Sequence, residues 1–306
     1  VVVGRHRIRE ATVLYGWAVV SFAFTTLGVF TPVPFTYVAV GFAGLAVVAG
    51  VVIVRRGEAL LPEGSLRIAL LAAPLLVLVS AMVASQWDEF SDWLISPRLL
   101  LTLDTFPDDS NKHLSGSLAA YPYGWHYVTY LVSRLAGRLV ENAGALVNVF
   151  LLLTFGLVAV RLIREGLSRE DEATKPGWGL LALGALLATL LNPTFHQKIV
   201  LTSYADTSTA VCVGVGGVLG WRMLDALARG KLGEANRLAL QIGLVMLVLV
   251  NLKQATVVLF VLVVGAVLLN LGLREAIVQL VEDVGTRNQW DTALGALSQH
   301  KNQFKK

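Results

Sequence analysis

Apolar runs close to the ~20 residues that a helix needs to cross ~30 Å of hydrocarbon recur along the whole chain, with charges gathered between them. This pattern predicts spans at about 12–31, 35–54, 67–84, 143–161, 178–192, 204–222, 238–252 and 255–272. The expected fold class is all-α, a polytopic transmembrane helical bundle of about eight spans. One long external loop, 85–142, is expected to carry amphipathic interfacial helices. Its segment from His126 to Leu139 is helix-compatible and moderately apolar, but it holds Ser133, Arg134 and Arg138 and is followed by Glu141. It therefore reads as a helix lying along the interface.

Composition supports the membrane reading. Hydrophobic residues make up 55% of the 306 residues and charged residues 15%, against about 25% charged in soluble domains. The first apolar run is followed directly by a second, so it reads as a retained span and not as a cleaved leader. Cys212 is the single cysteine, which excludes an intramolecular disulfide and a cysteine metal site, and its apolar surroundings suit a small packing residue. Neither the charge balance nor any motif points to nucleic acid.

The distribution of charge orients the spans. Arg5, Arg7 and Arg9 precede the first, and Arg55, Arg56 and Arg67 separate the second from the third. Arg161, Arg164, Arg169 and Lys175 lie between the fourth and fifth, Arg222, Arg229, Lys231 and Arg237 between the sixth and seventh, and Arg274 follows the eighth. Eight crossings put all of these on one face, which the excess of Lys and Arg marks as cytoplasmic. The organisation expected is a two-span segment over 1–66, a core over 67–272, and a polar cytoplasmic tail over 273–306 that is either a helix in its own right or the start of a longer region.

Candidate chemistry lies on the opposite face. The loop opens W-D-E-F-S-D-W, with Asp88, Glu89 and Asp92 at the membrane edge and Trp87 and Trp93 suited to the headgroup belt. Carboxylates at that depth are either well hydrated or functional, and one desolvated by the bilayer edge gains basicity. Lys253 sits between two apolar runs, where an ammonium either snorkels or meets a lipid phosphate. Asp206 opens the sixth span, as a carboxylate favoured by the helix dipole or as the partner of a cation. His113, His126, His196, Lys112 and Lys198 fall on the same external side and read individually as surface or interfacial residues. No H-E-x-x-H, glycine-rich phosphate loop or Cys/His cluster occurs.

Four short motifs in order, Asp88-Glu89, Tyr121 to Gly124 (Y-P-Y-G), Tyr204 to Asp206 (Y-A-D) and Asn251 to Gln254 (N-L-K-Q), resemble the GT-C superfamily of integral membrane glycosyltransferases. The nearest pattern is that of bacterial relatives of protein O-mannosyltransferases and aminoarabinose transferases, and the likeness covers about 85–280. It implies an inverting transfer of a sugar from a polyprenyl-phosphate donor to an acceptor, whether glycan, lipid or protein, at the external face of the cytoplasmic membrane. By that resemblance Asp88 is the general base and Glu89 orients it or holds the acceptor. Lys253, Asp206, Tyr204 and His126 lie on the donor phosphate's side, and Tyr121 and Pro122 shape the loop. No cofactor is required, and a divalent cation is compatible with the acidic loop. The rival readings are a transporter or flippase for a lipid-linked glycan and a non-catalytic scaffold subunit.

The topology is testable by cysteine labelling in a Cys212→Ala background. A cysteine at position 110 should react with an impermeant thiol reagent from outside and one at position 168 should not. Labelling of 168 from outside would sink the eight-span arrangement.

Overall fold

The structure is a computed structural model that describes residues 8–107, 122–167, 175–192 and 201–284, with side chains of α7 to residue 166 and of α11 to residue 272. Every regular element among them is helical. A 3₁₀ turn, Arg9–Ala11, leads into α1 (Thr12–Phe30), followed by α2 (Phe35–Arg55), α3 (Ser65–Leu71) and α4 (Ala73–Ser80). A π-helical turn, Glu89–Trp93, α5 (Ile95–Leu103) and α6 (His126–Ala136) come next. Then follow α7 (Ala143–Leu167), α8 (Trp178–Ala188), α9 (Asp206–Ala228), α10 (Leu232–Val250) and α11 (Thr256–Val284).

Five stretches are long and apolar enough to cross a membrane: 9–30, 35–55, 143–166, 206–228 and 232–250. The expected third span is two short helices instead. Pro74 has no N–H for the carbonyl of Leu70, so the helix breaks at Ala72. It ends at Ser80 because the Asn142 amide donates to the carbonyls of Val79 and Ser80, at 2.9 and 2.8 Å, and caps the last turn. The fifth expected span is helical only over the 11 residues of α8, whose last turn is closed by the Thr189 hydroxyl on the carbonyl of Ala185. Residues 1–260 form one compact unit; of the second, 261–306, the described part is the continuation of α11.

Two apolar clusters hold the first unit together. Ile68 and Val79 of α3 and α4 pack with Val149, Leu153, Leu157 and Val160 of α7 and Leu181 of α8. Helices α7 and α8 touch backbone to backbone there, since a Cβ added to Gly156 would lie 2.8 Å from the Gly184 carbonyl oxygen. Small residues at the crossing permit this close approach, the usual basis of helix association where lipid removes the hydrophobic drive. The second cluster joins Phe24 of α1, Phe35 and Val38 of α2, Leu100 of α5 and Tyr127 and Tyr130 of α6. Helix α6 is thus seated in the protein along one face, with Tyr127, Tyr130 and Ser133 buried and Leu135 80% exposed.

Polar contacts define two ends of the bundle. At the basic end Arg161 bridges Glu10 (3.1 Å) and Glu165 (2.9 Å), Glu165 also pairs with Arg222, and Arg67 donates to the carbonyl of Pro176 while stacking on Trp178. At the other end Asp104 serves α2: its carbonyl accepts from the N–H of Phe35 (2.7 Å) and its carboxylate from the N–H of Thr36 (3.1 Å). Pro34, before the helix, offers no capping side chain, so Asp104 satisfies donors that would otherwise be orphaned. The same carboxylate takes the Tyr130 hydroxyl at 2.7 Å and lies 3.5 Å from Arg134, joining α5 and α6 to α2. Cys212 is buried in α9.

Gly156→Val should cost about 1–3 kcal/mol by overpacking the α7–α8 crossing. Gly16→Ala, where an added Cβ meets nothing within 4 Å, should cost nothing. Thermal unfolding of the two variants in detergent checks the contrast.

Candidate functional site

The Asp88 end of the bundle gathers around a non-helical segment, residues 202–205, that leads into α9. Backbone outside a helix cannot satisfy itself, so its polar groups need partners from elsewhere. Asn148 of α7 donates to the carbonyls of Thr202 (3.0 Å) and Tyr204 (2.8 Å). The Trp125 indole donates to the Ser203 carbonyl at 2.6 Å, and the Ser203 hydroxyl donates to the carbonyl of Glu141 at 2.9 Å. The Ser203 N–H donates to the Glu89 carboxylate at 2.7 Å.

Glu89 is buried, at 4% exposure, and its second oxygen accepts from the N–H groups of Ser85 (2.8 Å) and Gln86 (3.0 Å). Three backbone donors therefore share its charge. It holds the start of the 85–142 loop against residue 203, a positioning task. The next turn is π-helical, with the Leu94 N–H on the Glu89 carbonyl at 2.9 Å, and turns Trp93 inward. Trp93 was expected in the headgroup belt, yet it is buried at 6%, while Trp87 is 82% exposed and suits that role.

Trp93 is the floor of the site. The Lys253 ammonium lies 5.4 Å from its ring centroid, the Tyr204 ring 6.3 Å and the His126 ring 5.5 Å away. Lys253 also pairs with Asp206, Nζ to Oδ1, at 2.6 Å. Asp206 is in the first turn of α9, where the helix dipole favours it. Tyr204 lies beside Asp88; burial and the carboxylate's charge both raise the pKa of its phenol, which keeps its proton. Asp88 itself is exposed at the protein surface.

Asp88, Glu89, Tyr204, Asp206 and Lys253 thus share one site. His126 adjoins it differently. It is buried at 2% exposure, donates to the Trp93 carbonyl, and burial pushes its pKa down to about 4. The surface position expected for it is replaced by a buried one against Trp93. Pro122 leads into Gly124, whose Cβ, were it present, would lie 2.4 Å from the Asn251 carbonyl oxygen. Only glycine allows Y-P-Y-G to press on N-L-K-Q. Tyr121, His113, His196, Lys112 and Lys198 lie outside the described residues. Trp125, Ser203 and Asn148 escaped the sequence reading, and so did the inward role of Trp93. Tryptophans flanking the acidic and Y-P-Y-G motifs were the available signal.

Among the described residues no three His, Cys, Asp or Glu side chains converge as a metal site. Compared with family models, characterised proteins and solved structures, the chain matches none.

Glu89→Gln must turn its amide –NH2 toward at least one of the three backbone N–H groups. The expected loss is about 1–3 kcal/mol of stability, as for a buried unsatisfied donor. Thermal unfolding checks it, and an unshifted transition would remove the positioning role.

Proposed function

We propose that the protein is an integral membrane glycosyltransferase of the GT-C kind, acting on a polyprenyl-phosphate-linked sugar at the external face of the cytoplasmic membrane. The reading takes α3–α4, α8 and the apolar stretch 256–272 of α11 with the five long apolar stretches as eight crossings, and the basic end as cytoplasmic. One observation carries it: four motifs separated by up to 163 residues interlock. Asp88 meets Tyr204, Glu89 meets Ser203, Gly124 abuts Asn251 and Lys253 pairs with Asp206. A scaffold has no need for this convergence of an exposed carboxylate and an ammonium on an aromatic floor.

The local chemistry separates the carboxylates by role. The charge of Glu89 is taken up by three backbone N–H groups and that of Asp206 by Lys253. Asp88 is beside Tyr204 and exposed, so its lone pairs are accessible to an acceptor. In the proposed reaction Asp88 takes the proton of the acceptor hydroxyl or amine as that atom bonds to the anomeric carbon. The bond from that carbon to the phosphate oxygen breaks, and its electron pair leaves with the polyprenyl phosphate beside Lys253. Displacement from the opposite side inverts the anomeric centre.

Asp88→Asn keeps the shape and removes the basic lone pair, so sugar transfer should fall about 10²–10⁴-fold with stability and donor affinity retained. Lys253→Ala should weaken donor binding as well as turnover. The assay is transfer from polyprenyl-phosphate sugars in nanodiscs with donor binding measured in parallel. Wild-type rates in Asp88→Asn would bring the scaffold and transporter readings forward.

A further inference from the structure

We infer that Asp206 is a built-in competitor for the lipid phosphate at Lys253, and that it serves to expel the phosphomonoester product. The inference rests on the donor reading of the site. The Asp206 carboxylate occupies the Lys253 ammonium at 2.6 Å, the place a phosphate oxygen would take. The lysine side chain is 20% exposed and lies on Trp93, whereas the aspartate is 50% exposed at the mouth. The cation is thus fixed and its counter-ion is the partner free to move.

Exposed ion pairs are worth little, typically up to ~1 kcal/mol, so an arriving phosphate can displace the carboxylate readily. The displaced Asp206 stays anchored at the first turn of α9, within reach of the bound anion. Its repulsion then depends on the charge of that anion. A donor phosphodiester carries a single negative charge, whereas the monoester left after transfer carries about −1.5 to −2 at neutral pH. Lys253 alone would hold the product more tightly than the donor and leave the enzyme blocked. Asp206 penalises the more highly charged species more, and it re-forms its own pair with Lys253 as the product leaves.

The test uses the full chain in phosphatidylcholine nanodiscs, with binding of polyprenyl phosphate and of its methyl phosphodiester measured separately by native mass spectrometry. Asp206→Asn should bind the monoester roughly fivefold more tightly than wild type and the diester by a clearly smaller factor, consistent with about 1 kcal/mol for one exposed charge. Asp206→Ser, which also removes the charge and is small and polar, should behave the same and stands in should the amide variant fold poorly. Unchanged or weaker monoester binding, or an equal gain for both ligands, overturns the inference. Phosphatidate is the control for the lipid's identity. If it gains as much as polyprenyl phosphate, the competition by Asp206 stands while the polyprenyl reading of the site falls.

Discussion

The arrangement of this protein depends on satisfying the backbone of residues 202–204, a non-helical stretch just before α9. Inside a bundle facing lipid, an unpaired N–H or C=O costs several kcal/mol, and a non-helical segment survives only if the protein supplies every partner. Here the partners come from four directions: Glu89 for the Ser203 N–H, Trp125 for its carbonyl, and Asn148 for the carbonyls on either side, with Glu141 receiving the Ser203 hydroxyl. Each bond fixes one element relative to the start of α9. The location of Tyr204 and Asp206 is therefore a consequence of main-chain hydrogen bonding, and the side chains that would do chemistry inherit their places from it.

That constraint explains which parts of the fold could be read from the sequence. The long spans announce themselves through apolar length, because a helix satisfies its own backbone and needs only lipid around it. The α3–α4 segment is just as apolar, but Pro74 and a cap supplied by Asn142, 62 residues away, decide where it breaks and stops. Nothing in the local hydropathy encodes the second. Likewise 126–139 reads as an amphipathic helix, and α6 is helical over His126–Ala136, but the partners of its buried face are not local. Tyr127 and Tyr130 pack against Phe24 and Phe35, about 100 residues earlier in the chain.

At the site, the charged residues were legible by type and their roles were not. Glu89 and Asp88 are adjacent and chemically alike, and no local pattern separates them. The structure does so through a donor 114 residues away, which turns Glu89 into part of the scaffold. Gly124 is similar in kind. Its need for glycine comes from the main chain of Asn251, a close approach that sequence reveals only as an unexplained Gly after Pro122 and Tyr123. Trp93 was visible as an aromatic beside acids, but the π-helical turn that sends it inward is an irregularity of five residues without a composition signal.

The burial of Trp93 has a further consequence for electrostatics. An ammonium near an aromatic face gains attraction without a counter-charge, and the gain grows as water is excluded. Lys253 can therefore be held above Trp93 whether its anion is Asp206 or a ligand, which a carboxylate-only anchor would not allow. Neutral His126 beside the ring matters for the same reason: an imidazolium there would repel the Lys253 ammonium and oppose its seating. Burial, by holding His126 in its neutral form, keeps the floor uncharged. Among the described residues of the site, Lys253 thus carries the positive charge, on a platform of aromatic packing and beside the carboxylate of Asp206.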